Sequence, residues 1–137
     1  MIVWILRSRL HRLLSDGVLV LQFVGRKTGQ VYRTPPSYVE LGGAPLCFTR
    51  PDETSWWKNL KGDAPIEIWL RGQRHTARAE FLSPRSVEAL AGLRAFLTRN
   101  PGTAELYQVK LDAQRRPDEE DLAREVANSI VVRLRTS

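Results

Sequence analysis

The chain has 137 residues, 42% of them hydrophobic and 26% charged, a balance that suits a folded soluble domain and excludes a disordered or collagen-like one. No apolar stretch is long enough to cross a bilayer, and the single cysteine, Cys47, forms no internal disulfide, so the chain suits a reducing cytoplasm. The net charge of +6 calls for an anionic partner, but zinc-finger spacing, RNA-recognition aromatics and a helix-turn-helix pattern are all missing, which makes nucleic acid the weaker candidate.

Taken in chain order, the first element is a helix over about residues 1–15. Ile2, Leu6, Leu10 and Leu13 recur at three- and four-residue steps with Arg7, Arg9 and Arg12 among them, and Asp16-Gly17 supplies a stop. It has no small-residue cleavage site and does not read as a secretory signal. A surface helix covering one end of the core is the plain reading, with peripheral contact to an anionic membrane as its functional alternative.

"VLVLQFV" (18–24) reads as a nearly continuous apolar strand, which suggests burial on both faces or a barrel position. "QVYRTPPSYVEL" (30–41) follows the basic loop "GRKTG", and Pro35-Pro36 predicts a bend or bulge within it. Gly42-Gly43 turns the chain into "PLCFT", with Cys47 as a buried strand thiol. "DETSWWKNLKGD" predicts one or two helical turns, capped by Asp52 or Thr54 and ended by Gly62. Its adjacent Trp56 and Trp57 point to different sides, one into the core and one toward a pocket. The clearest hairpin alternates Ile66, Ile68 and Leu70 with Glu67, Trp69 and Arg71, turns at Gly72-Gln73, and returns from Arg74 to Phe81.

Beyond Leu82 the pattern is helical to about residue 127. Ser83-Pro84 offers a cap and first position ahead of Val87, Leu90, Leu93 and Leu97. Asn100-Pro101-Gly102 breaks the run, and "PDEEDLAREVA" starts a second helix with Pro117 at its head. "SIVVRLR" closes the chain as a strand. The expected class is mainly β with peripheral helices (α+β), as a small barrel or sandwich. With no repeat, linker or low-complexity tract, one domain over residues 1–137 is the economical reading. At that size, self-association as a homodimer would help to enclose both a cofactor and a substrate.

The loop Gly25-Arg26-Lys27-Thr28-Gly29 poses the functional question. Glycines let backbone N–H groups approach an anion while Arg and Lys neutralise it. The spacing is not that of a Walker A loop, and on spacing alone a solvated hairpin turn is the favoured reading. Arg33 and Arg50 leave nearby segments, so a barrel could gather three basic stretches at one groove. Catalytic constellations are missing: His11 and His75 are the only histidines, neither stands in a metal-ligand spacing, and HExxH, CxxC and GxSxG do not occur. No metal site and no catalytic side chain is assigned, which leaves any chemistry to a bound cofactor.

The succession "GRKTG", Thr34-Pro35, "FTR" and "WWKNLKGDAPIEIWLRG" resembles the deazaflavin (F420)-dependent nitroreductase and quinone reductase family, over roughly residues 10 to 82. The resemblance implies a split β-barrel, similar in outline to the flavin reductases, that binds reduced F420 in a basic groove and passes a hydride to a quinone, nitro compound or activated alkene. It implies that Arg26, Lys27 and Thr28 hold the cofactor's phosphate and acidic tail. It further implies cofactor contacts from Thr34, Pro35, Thr49 and Arg50, with Trp56, Trp57, Asn59 and Leu60 lining the cofactor's edge and anchoring the loop. Tyr38 and Tyr107 are the counterparts on the substrate side. Where members often carry arginine this chain has Tyr32, with Arg33 one step later on the opposite strand face. The same barrel loaded with FMN, haem or an acyl ligand is the alternative reading. The expected location is cytoplasmic or membrane-peripheral, and the expected partner is a small electron acceptor.

Overall fold

In the computed structural model, which describes residues 19–61 and 65–136, seven strands form one antiparallel sheet. The strands are β1 (Val20–Val24), β2 (Val31–Thr34), β3 (Ser37–Leu41), β4 (Ala44–Thr49), β5 (Ile66–Leu70), β6 (Gln73–Leu82) and β7 (Ile130–Thr136). A 3-10 turn spans Trp56–Leu60, and two helices, α1 (Val87–Arg99) and α2 (Glu119–Ala127), lie between β6 and β7. The expected N-terminal helix, its membrane contact and the Gly62 stop lie outside the described residues.

The strand order is β2-β1-β5-β6-β7-β4-β3. The two edge strands are therefore sequence neighbours, joined only by Pro35 and Pro36. Three peptide steps from Thr34 to Ser37 reach at most about 11 Å, whereas a flat sheet of this order would hold its edges about 29 Å apart. The sheet must curl until its edges meet, which gives the split barrel expected from the resemblance. Neither proline interrupts a ladder. They occupy the corner where the chain leaves one edge for the other.

Side-chain alternation sorts the core into two clusters. Leu21, Cys47, Ile68, Ala77, Val132 and Leu134 come from β1, β4, β5, β6 and β7 and meet inside the curled sheet. Neighbouring residues on the same strands, Leu46, Phe48 and Val131, face outward under the helices, against Leu93, Phe96, Leu97, Leu122 and Val126. Cys47 is fully buried, and burial alone pushes its thiol far above the ordinary value, so it is an inert core residue.

Local chemistry corrects several sequence expectations. The β5–β6 turn is Arg71-Gly72, both with positive φ (51° and 77°), because Leu70 pairs with Gln73; a two-residue hairpin needs this primed geometry. α1 starts at Val87, later than Ser83-Pro84 suggests, since the Ser86 hydroxyl accepts the N–H of Ala89. Val87 is left 80% exposed instead of joining the core. α2 is capped by Asp118, whose side chain accepts from the N–H of Asp121, so Pro117 precedes the helix. The 3-10 turn has Ser55 at its cap position with no side-chain hydrogen bond, and neither Asp52 nor Thr54 caps it.

Gly92 brings α1 close to the sheet. A Cβ there would lie 2.5 Å from Leu46 Cδ2 and 3.0 Å from Phe48 Cζ. Gly92→Val is expected to lower the unfolding free energy by about 2 kcal/mol through overpacking, read as a lower urea midpoint. An unchanged midpoint would show that α1 has room to spare.

Candidate functional site

The basic loop between β1 and β2 is closed on itself. The N–H of Gly25 donates to the carbonyl of Gln30 (2.7 Å), and that of Gly29 donates to the carbonyl of Gly25 (2.8 Å). Gly29 turns the chain at φ 70°, a conformation that side chains disfavour. Gly25 is required for a different reason: a Cβ there would sit 2.5 Å from Tyr32 Cε2 and 2.7 Å from Thr28 Oγ1. The Tyr32 ring lies over the loop, stacks on Phe23 at 5.8 Å, and shares a 2.9 Å hydrogen bond with the Thr28 hydroxyl.

Asn59 ties this loop to the 3-10 turn. Its Oδ1 accepts the backbone N–H of Arg26 at 2.9 Å, and its Nδ2 donates to the Trp56 carbonyl at 3.3 Å. Between the joined segments opens a cavity of about 630 Å³. Four cations border it, Arg26, Lys27, Arg33 and Lys58. Its apolar wall comes from Phe23, Tyr32, Trp56 and Pro35, and Thr28, Thr34, Ser55 and Asn59 add polar groups. No carboxylate is among the described residues that line it. The site therefore combines aromatic surface with positive charge that no described lining carboxylate offsets, which suits a ligand with a ring system and an anionic arm.

Of the residues singled out from sequence, Arg26, Lys27, Thr28, Thr34, Pro35, Trp56 and Asn59 come together here. The others do not line the cavity. Thr49 shares a 2.6 Å hydrogen bond with Thr54. Arg50 is held by Glu125, through Nε at 2.9 Å and Nη2 at 2.8 Å, and this hydrogen-bonded carboxylate raises its pKa further. Trp57 is the core-facing member of the tryptophan pair, buried with its Nε1 donating to the Thr54 carbonyl. Tyr38 packs against the cluster inside the barrel, where burial above all raises its pKa. Tyr107 meets Phe96 edge-on at 5.9 Å in the helix-side cluster.

Phe23, Tyr32, Ser55 and Lys58 were not singled out from sequence. Tyr32 was within reach, because it stands two residues from Thr34 on one strand and so shares its face. Arg33 points to the opposite face, where its Nε donates to Gln22 (2.7 Å) and its guanidinium lies 5.4 Å from the Trp69 ring centre, yet it still borders the cavity rim. Nothing in the sequence pattern marks Ser55 or Lys58.

A curled antiparallel sheet with two covering helices is a split β-barrel, and here a basic, aromatic-lined cavity lies along its edge strand β2. The chain belongs to the F420H(2)-dependent quinone reductase family, which matches residues 7–115. No curated protein matches the sequence. Among solved structures it is similar to a protein of unknown function from Agrobacterium tumefaciens, with 22% identity and a TM-score of 0.57 over 95% of this chain. This chain spans only 53% of that one. It is also similar to the heme storage protein HutZ from Vibrio cholerae (12% identity, TM-score 0.59, 96% of this chain and 90% of that one). A FAD-binding protein from Mesorhizobium loti shares the fold at 11% identity, with a TM-score of 0.55 over 95% of this chain and 88% of that one. No helix among the described residues is long and apolar enough to cross a membrane.

Asn59→Ala is expected to cost the loop about 1 kcal/mol of local stability, read as roughly fivefold faster amide exchange at Arg26. Unchanged exchange there would show that the loop holds its shape without the tie.

Proposed function

We propose that the chain is an F420H2-dependent reductase whose cavity holds the deazaflavin cofactor. The observation that carries this reading is the cavity's makeup: four cations, three aromatic side chains and no carboxylate among the described residues that line it. F420 joins a planar ring system to a phosphodiester and several carboxylates, and such groups form strong charge-assisted hydrogen bonds with Arg and Lys. FMN, with a single phosphate, would use fewer of these cations. Haem finds no His, Cys or Met among the described residues that line the cavity, and the hydroxyl of Tyr32, a residue type that can ligate haem, is engaged by Thr28.

In this reading Arg26, Lys27 and Lys58 bind the anionic arm, with Thr28 beside them. Thr34 and Pro35 border the arm, while Phe23, Tyr32 and Trp56 shield and orient the ring. When bound and reduced, F420 supplies a hydride to a quinone, nitro compound or activated alkene. The side chains of this protein align the two reactants and exclude water, work that needs no protein nucleophile.

Titration with F420, followed by its fluorescence, is expected to saturate at micromolar concentration. The charge reversal Arg26→Glu/Lys27→Glu should weaken binding on the order of 100-fold or more, since each charged hydrogen bond contributes about 1.5–3 kcal/mol. Absence of saturable binding, or tighter binding of FMN, would overturn the assignment.

A further inference from the structure

We infer that the Arg50–Glu125 ion pair positions the cavity wall, making both side chains positioning residues of a site that neither one lines. The inference rests on the cofactor reading above for its functional consequence, and on the following geometry for its cause.

Glu125 is 5% exposed on α2, and its two carboxylate oxygens accept from Nε and Nη2 of Arg50 at 2.9 and 2.8 Å. The remaining nitrogen, Nη1, approaches Glu53 at 3.5 Å. All three guanidinium nitrogens thus face protein carboxylates. A guanidinium held by such a fork has a fixed orientation as well as a fixed place.

Arg50 immediately follows β4, and its carbonyl accepts the N–H groups of Glu53 (3.1 Å) and Thr54 (3.3 Å). The Thr54 hydroxyl is bound to that of Thr49, and the Thr54 carbonyl accepts from Trp57 Nε1 at 3.0 Å. Ser55 and Trp56 come next in the chain, and both line the cavity. From there Asn59 reaches the basic loop through Arg26. A continuous series of contacts therefore runs from α2, through Arg50 and its turn, to the aromatic wall and on to the cations.

Stability alone does not account for the pair. Removing two charges from water costs about as much as their attraction returns, so apolar replacements are commonly as stable or more so. What an apolar pair lacks is direction: it can fill the space without holding the turn after β4 at one angle. The hydroxyl-plus-cation step Thr49-Arg50 thus acts on the cavity through Trp56 and not by touching an anion.

The test uses Arg50→Met, Glu125→Gln and the apolar double variant Arg50→Met/Glu125→Leu, which avoids a buried unpaired charge. The double variant is expected to melt within about 3 °C of the parent. It should nonetheless bind F420 about 10-fold more weakly, as expected for a change relayed to a site through packed contacts. The salt dependence of its Kd should match the parent's, because no groove cation is lost. Without ligand, amide exchange across residues 52–60 should be faster in all three variants. Parental affinity and exchange in the double variant would overturn the proposal by making the pair purely structural. A flattened salt dependence in Arg50→Met, with parental affinity in Glu125→Gln, would overturn it by making Arg50 a direct ligand contact. If the parent protein itself fails to bind F420, the cofactor reading falls, and the exchange measurement alone upholds or refutes the positioning role.

Discussion

Two prolines between β2 and β3 impose the constraint from which the rest of the molecule follows. Pro35 and Pro36 are all that separates strands at opposite edges of a seven-stranded sheet, and a connection that short cannot span an open sheet. Curling brings β1 and β5 across from β4 and β7, which lets Leu21 and Ile68 share an interior with Cys47 and Val132. Thr34 and Pro35, at that corner, also line the cavity, which otherwise runs along β1, β2 and the 3-10 turn.

Charge is distributed with respect to that opening. Away from it, arginines meet carboxylates: Arg71 with Glu40, Arg94 with Glu119, Arg116 with Asp112, and Arg133 and Arg135 with Glu80. The hydrogen bond from Arg135 holds Glu80 below the usual carboxylate range, as that from Arg94 does Glu119. These groups lie at the surface, with Arg133 and Glu40 part-buried, and such pairs contribute little stability each, but they offset positive charge there. At the cavity no described carboxylate offsets Arg26, Lys27, Arg33 or Lys58. Cations clustered in this way raise the local concentration of an anion.

The two halves of the sheet have different duties. Helices α1 and α2 cover the outer faces of β3, β4 and β7, with Gly92 allowing the close approach of α1 to Leu46 and Phe48. The β1–β2 hairpin carries the basic loop that lines the cavity, and Tyr32 stiffens it by stacking on Phe23 and binding Thr28. Glu125 links the two halves, since it projects from the helical layer to the segment that leads into Trp56. A rigid scaffold of this kind can hold a binding loop in one arrangement before a ligand arrives, which lowers the entropy cost of binding.

By itself the sequence determined the elements whose signals are local. Alternation marked the hairpin from Ile66 to Phe81, paired glycines marked the turn at residues 42 and 43, and Asn100-Pro101-Gly102 marked the end of α1. Its ordered motifs, from "GRKTG" to "WWKNL", pointed to the family and to seven residues that line the cavity. Tertiary structure decided what depends on partners distant in the chain. Thr54 and Arg50 looked free to cap or to bind, and each is engaged by a hydroxyl or a carboxylate, in Arg50's case 75 positions away. The division within the tryptophan pair, with Trp57 in the core and Trp56 at the cavity, follows from how the 3-10 turn packs on the barrel. Periodicity reports which face a side chain takes on its own strand or helix, but a long-range ion pair or a cavity wall exists only after separate elements have met.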